Sequence, residues 1–188
     1  TWNPRGGMLH ASECLLALQE RLAARGGRLR EGARVVQIEP TGANGAVGAH
    51  IRLENGESLE ADRVVVSAGP WAPGLLAELA QLPVRATRQQ VCYLAGADPV
   101  AFTVGAFPVF LAEMACYGFP LQGPGWLKVA SHVTGEAVNP DASYAVDEDE
   151  VASVRAFLRQ VIPAAAALEL ALVDRCMYDM TPDEDFIL

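Results

Sequence analysis

Lys128 and His132 stand four residues apart in "GWLKVASH", and Cys176 and Tyr178 two apart in "RCMYDM". In strands, residues of equal parity share a face, so Lys128, Ala130 and His132 point one way. Tyr117, eleven residues upstream of Lys128, falls on the preceding strand. An ammonium and an imidazole on one surface are groups that stabilise charge and move protons. Each also has an ordinary structural use. A lysine flanked by Leu127 and Val129 snorkels at a sheet edge, a lone histidine is commonly structural, and Cys176 in an apolar strand serves as a small buried hydrophobe or as a reactive thiol.

Two glycine-bearing stretches complete the candidates. "VVVSAGPWAPG" reads as a buried strand ending in Ser67-Ala68-Gly69. Such an end is either a plain strand-to-helix turn or a place where the backbone approaches a ligand. Gly42, Gly45 and Gly48 are spaced GxxGxxG rather than GxGxxG, and no helix follows whose amides would meet a pyrophosphate. They read as a hairpin turn, and the chain has no dinucleotide fingerprint of its own.

The elements that must position these residues follow from periodicity. Ser12 is placed to cap a helix carrying Leu15, Leu18 and Leu22, with Glu13 in its first turn and Gly26-Gly27 as its stop. "ARVVQIEP", "VGAHIRLENG" and "ESLEA" predict an antiparallel meander. Residues 64–66 predict a strand buried on both faces, leading into a helix. Residues 84–132 predict strands without helices, in one antiparallel sheet. Asp147 caps a second helix, with Glu150 as its capping-box partner and Val151, Val154, Leu158 and Val161 as its buried stripe. The run at 175–180 is a last strand.

Composition bounds the function. Fourteen Lys+Arg against 23 Asp+Glu give a net charge of -9 with no basic cluster, which disfavours nucleic acid and anionic membranes and favours small-molecule chemistry. "VIPAAAALELALV" is too short and too broken to span a bilayer, and no secretory leader is visible in "TWNPRGG". Cys14, Cys92, Cys116 and Cys176 are far apart, without metal-ligand spacing to the histidines. No metal site is expected, and a reducing, cytoplasmic setting is favoured.

Taken together, "GGMLHASECLLALQERLAARGGRLREGARVVQIEP", "GESLEADRVVVSAGPWAPGLL", "VRATRQQVCYL", "CYGFPLQGPGWLKVASH", "GEAVNPD" and "CMYDMTPDEDFIL" resemble, in order, the monomeric sarcosine oxidase and N-methyltryptophan oxidase family of D-amino-acid-oxidase-like flavoproteins. The resemblance implies oxidation of a secondary amino acid or related amine to an imine, with FAD as cofactor and oxygen reduced to hydrogen peroxide. It implies that Cys176 carries the flavin through a thioether and that Lys128 activates oxygen. Tyr117, His132 and Tyr178 are then substrate-pocket residues, and Val35 with Ala68, Gly69, Pro70 and Trp71 meets the adenosine half. A dehydrogenase of the same superfamily and a catalytically inert folded fragment are the alternatives.

The implied fold class is α+β and α/β: an antiparallel substrate-domain sheet with helices, plus the central part of an FAD-binding domain without its GxGxxG unit. The boundaries are 1–82 for the flavin part, 83–175 for the substrate part and 176–188 for a return to the first. The chain then reads as an internal fragment that lacks the pyrophosphate loop and the substrate-carboxylate anchors. Such a fragment is prone to self-association through truncated strand edges.

Overall fold

The structure, a computed structural model, describes residues 3, 5–41, 48–113 and 116–187. Two compact units form, one of Leu9–Val84 with Thr181–Leu188 and the other of Thr1–Met8 with Arg85–Met180. In the first unit, α1 (Ala11–Ala24) starts earlier than the sequence predicts. The Cys14 amide donates to the His10 carbonyl at 3.0 Å, so His10 occupies the N-cap and Ser12 lies inside the first turn, too late to cap. The stop is as expected. Gly26 takes φ +78°, the Gly27 amide bonds the Leu22 carbonyl, and the Leu22 side chain fills the space a Gly27 Cβ would need.

Downstream, β1 (Val35–Pro40), β2 (Ala49–Leu53) and β3 (Ser58–Ala61) form the antiparallel meander that alternation predicts, with Ile38 and Leu53 buried. Gly42 and Gly45 lie outside the described residues; the Gly48 carbonyl closes the β1–β2 connection on the Thr41 amide at 3.0 Å. The buried strand expected at 64–66 is not formed, and Val65 is 88% exposed. Extended chain becomes a strand only when neighbours satisfy its backbone, and among the described residues none pairs with this run. It leads instead through a 3₁₀ turn (Gly69–Trp71) into one helical turn, α2 (Ala72–Leu75).

The second unit is built on one antiparallel sheet, as residues 84–132 led us to expect. Its strands are β4 (Arg85–Ala95), β5 (Phe110–Leu111), β6 (Cys116–Gln122), β7 (Trp126–Ser131) and β8 (Glu169–Met180), in the order β5-β6-β7-β4-β8. β8 begins well before residue 175, and Cys176 pairs inside this sheet. Between β7 and β8 run α3 (Glu148–Val161) and α4 (Pro163–Ala166). Cys92 and Leu94 of β4 and Leu127 and Val129 of β7 pack with Val151, Val154, Phe157 and Leu158 of α3. Fully burying each large side chain contributes about 1.5–3 kcal/mol. Phe157 takes the place predicted for Val161, which is half exposed; Val161 is the last residue of the helix, where the chain turns away.

Asp147 caps α3 as predicted, its carboxylate accepting from the Asp149 and Glu150 amides. The reciprocal half of the box differs, because the Asp147 amide is taken by the Gln90 side chain at 2.9 Å rather than by Glu150. Gln90 also donates to the Asp147 carbonyl, and Arg88 pairs with the Asp147 carboxylate, so one residue fastens α3 to β4. These hydrogen bonds and Arg88 hold the Asp147 carboxyl below its ordinary range, the Glu150 amide contributing most.

One irregularity decides which side chains share a face. β4 and β8 pair regularly from Arg85↔Met180 to Tyr93↔Leu172, but the next pair is Leu94↔Leu170, so Ala171 is an extra residue on β8. This bulge lets Leu170 join the core while Leu172, Asp174, Cys176 and Tyr178, also even-numbered, lie on the opposite face. Among the described residues no helix is long and apolar enough to cross a membrane.

Asp147→Ala removes a cap worth about 1 kcal/mol and takes the carboxylate partner from Arg88, while Gln90 keeps its bonds to the main chain of residue 147, so we expect a loss of about 1–3 kcal/mol in urea unfolding. Asp147→Asn keeps the cap oxygen and loses less. An unchanged midpoint for the alanine variant would show that the clamp contributes nothing.

Candidate functional site

Register assigns the face opposite α3. Tyr117 pairs with Ala130, Phe119 with Lys128 and Lys128 with Tyr93, while β4 residues Thr87 and Gln89 pair with Tyr178 and Cys176. Directly paired residues share a face, so Tyr117, Phe119, Lys128, Tyr93, Cys176 and Tyr178 project together. The equal-parity argument for Lys128 and His132 is met by the geometry, since His132 also meets residues of this face.

Lys128 is not at an edge, because β7 lies between β6 and β4. Its ammonium lies 5.0 Å from the centre of the Phe119 ring and 6.0 Å from that of Tyr93, within reach of both π faces. A half-buried cation held by two aromatic rings replaces the snorkelling lysine. Phe119 and Tyr93 were missed from sequence. Phe119 shares the parity of Tyr117, a signal that was available, whereas Tyr93 becomes a neighbour only through the β4–β7 register.

The His132 ring stands edge-on between two phenols, 5.8 Å from the Tyr117 ring and 5.7 Å from that of Tyr178. The His132 Nδ1 and the Tyr178 hydroxyl are hydrogen-bonded at 3.2 Å. Burial, followed by the hydrogen bond with Tyr178, pushes the Tyr117 phenol well above its ordinary value, so Tyr117 keeps its proton throughout the working pH range. A cavity of about 950 Å³ opens beside this trio, lined also by residues 104–111, by Phe119 and by Met8.

Cys176 keeps solvent access rather than being a buried hydrophobe. Desolvation by its neighbours still raises its thiol above the ordinary value, Asp174 adds to that, and Lys128 opposes it. Cys92, by contrast, is buried in the core and pushed up to about 11, chiefly by desolvation. Of the residues predicted to meet the adenosine half, Val35 opens β1, opposite Leu53. Ala68 precedes the 3₁₀ turn that Gly69, at φ +50°, Pro70 and Trp71 form. These belong to the other unit, where α2 packs against β1. Among the described residues no His, Cys, Asp and Glu cluster could hold a metal ion.

The sheet and its two faces define a mixed α/β chain. The protein belongs to the FAD dependent oxidoreductase (DAO) family, which it matches over residues 1–188. It is 34% identical over 195 residues to peroxisomal sarcosine oxidase of Homo sapiens, covering 97% of this chain and 48% of that protein. Monomeric sarcosine oxidase of Bacillus sp. (strain B-0618) is 32% identical over 196 residues, covering 100% of this chain and 48% of the relative. The chain thus spans about half the length of these curated relatives. The crystal structure of fructosyl amine:oxygen oxidoreductase (Amadoriase I) from Aspergillus fumigatus shares the fold, with a TM-score of 0.76 at 20% identity over 95% of this chain and 43% of that one.

Because Lys128 lowers the Cys176 thiol while Asp174 raises it, charge removal should move thiol reactivity in opposite directions. Alkylation by iodoacetamide, followed on the Cys176 peptide by mass spectrometry at pH 8, should slow by roughly twofold or more in Lys128→Met and quicken in Asp174→Asn. Equal rates in all three proteins would mean that these charges do not reach the sulfur.

Proposed function

We propose that the protein oxidises a secondary amine, an N-methyl amino acid or a related compound, to an imine and passes the electrons to oxygen with release of hydrogen peroxide. The observation that carries this reading is the convergence of Lys128, His132, Tyr117 and Tyr178 on one sheet face beside an open cavity. The identities of the curated relatives support it. FAD would supply the redox chemistry, accepting a hydride equivalent from the carbon next to nitrogen.

The donor set fits the ring end of that cofactor. Cys176 offers a reachable thiol on the face that also carries Lys128, and we infer that this sulfur holds the flavin through a thioether. Lys128 works toward the thiolate needed for such a bond, against the larger desolvation that raises the thiol. Val35 and the Ala68 to Trp71 turn are the candidates for the adenosine half, with Gly69 letting the backbone come close. On this reading the Leu9–Val84 unit is the central part of a flavin domain, and the sheet unit is the substrate domain.

For the chemistry, the protonated Tyr117 hydroxyl and the Tyr178 hydroxyl bonded to His132 stand at the cavity and orient the amine. The Lys128 ammonium lies in a partly dry, aromatic surround, where it stabilises the negative charge that oxygen acquires on reduction. That charge favours an oxidase over a dehydrogenase. The four unpaired cysteines support a reducing, cytoplasmic setting, and the exposed edges of the sheet support self-association.

Lys128→Met tests the reading in the purified protein with FAD. Reduction by an N-methyl amine should change modestly, while reoxidation by oxygen slows about a hundred- to a thousandfold, the equivalent of roughly 3–4 kcal/mol for one well-placed charge. Stopped-flow traces of the two half-reactions separate these effects. Reoxidation as fast as in the parent would remove the oxygen-activating role and shift the assignment to a dehydrogenase.

A further inference from the structure

His132 stands where the sheet stops. The last pairs that β7 makes are Ala130 with Val91 of β4 and Ser131 with Cys116 of β6, so among the described residues no strand pairs with His132. Equal parity puts Lys128 and His132 on one face as long as a ladder holds both, and beyond Ser131 the ladder no longer does so. The backbone meets β4 again at Glu136, whose carbonyl accepts from the Arg88 amide at 2.8 Å. While β4 passes from Val91 to Arg88, the facing chain runs from Ala130 to Glu136. That is too long a stretch to lie flat against β4, so the intervening residues leave the sheet and carry His132 with them. The return is close, since a Cβ on Gly135 would sit 1.8 Å from the Arg88 carbonyl oxygen.

One side chain crosses the opening. Gln89 of β4 is 2% exposed, and its Nε2 donates at 3.1 Å to the carbonyl of Val133, the residue that follows His132. The Val133 amide donates in turn to the Ser131 hydroxyl at 3.3 Å. On its other side Gln89 is paired with Cys176. A single residue therefore reaches from the strand that bears Cys176 and Tyr178 to the loop that bears His132. We propose that Gln89 is a positioning residue of the site: its amide stands in for the absent rung of the ladder and holds His132 within hydrogen-bonding reach of Tyr178, at 3.2 Å. Arg88 and Gln90, on either side of it, are fastened to Asp147, so β4 does not follow the loop when the loop shifts. An amide does this without adding a charge beside Lys128, and its loss leaves the Val133 carbonyl unpaired, which drives the loop to move toward water.

Gln89→Met keeps the length of the side chain and removes the donor. In a first arm, the His132 ring protons are followed by NMR in the purified protein. Ring currents of the two flanking phenols displace these signals, and in Gln89→Met they should move most of the way to those of a free histidine. The signals of His10 and His50, which lie in the other unit, should stay in place. In the unaltered protein a Gln89 side-chain amide proton should exchange with solvent at least about tenfold more slowly than a free amide, a measurement that decides the matter if the variant does not fold. A second arm, which alone rests on the amine-oxidase reading, uses the protein with FAD. Reduction by N-methylglycine should slow about tenfold to a hundredfold in Gln89→Met, while reoxidation by oxygen is unchanged because Lys128 is held inside the ladder. Unmoved His132 signals in a folded variant, or a Gln89 amide that exchanges as fast as a free one, overturn the inference. Moved signals with both half-reactions slowed alike show a general loosening of the sheet and overturn it as well. Moved signals with no amine oxidised by either protein sustain the positioning and overturn the reaction.

Discussion

The pairing of β4 with β8 is the constraint on which the candidate site depends. Strand side chains alternate with period two, so an unbroken β8 with Leu170 in the core would also turn Cys176 and Tyr178 toward α3. The single extra residue, Ala171, reverses that parity. It lets an apolar start to the strand serve the core and a polar end serve the opposite face. Neither half could be given up cheaply. Withdrawing Leu170 from the core forfeits part of the burial that holds α3, and pointing Cys176 and Tyr178 inward buries polar groups without partners.

The two faces of the sheet are coupled through β4. On one face Arg88 and Gln90 grip the start of α3 through Asp147; on the other, Tyr93 flanks Lys128, and Gln89, opposite Cys176, donates to the Val133 carbonyl. A strand pinned from both sides has little freedom to slide, so the register that joins Lys128 to Cys176 is supported by bonds on the other side of the sheet. Packing at the β5 edge follows the same logic. Gly118 carries no side chain because the Phe110 ring of the neighbouring strand occupies that space, and Phe110 stacks in turn on Phe157 of α3 at 6.0 Å.

Sequence made the local features legible and left the non-local ones hidden. The Asp147 cap, the Gly26-Gly27 stop, the meander and the shared parity of Lys128 and His132 all depend on residues a few positions apart, where periodicity and capping chemistry act directly. The Ala171 bulge, the Gln90 partner of Asp147 and the Tyr93 side of the lysine cradle depend on pairings between distant segments, about which a single strand's pattern says nothing. The missing strand at 64–66 is the converse case. Three valines carry a strong intrinsic preference, but a strand is a relation between chains and not a property of one. The resemblance supplied roles for Cys176 and Lys128; only the register shows that they occupy one surface.

The charge pattern of that surface bears on the form in which an amine would be held. A secondary amine is cationic in neutral water, and only its neutral form has the lone pair that assists loss of hydride from the adjacent carbon. The described cavity lining contains no carboxylate to stabilise the cation, while the Tyr117 phenol stays protonated and uncharged. Moving an ammonium into an apolar, anion-free cavity lowers its pKa, and the positive charge of Lys128 on the same face acts in the same sense. Desolvation of an amine in this cavity would therefore also bring its nitrogen toward the reactive form. An acidic residue in the wall would have tightened binding of the cation and opposed the chemistry.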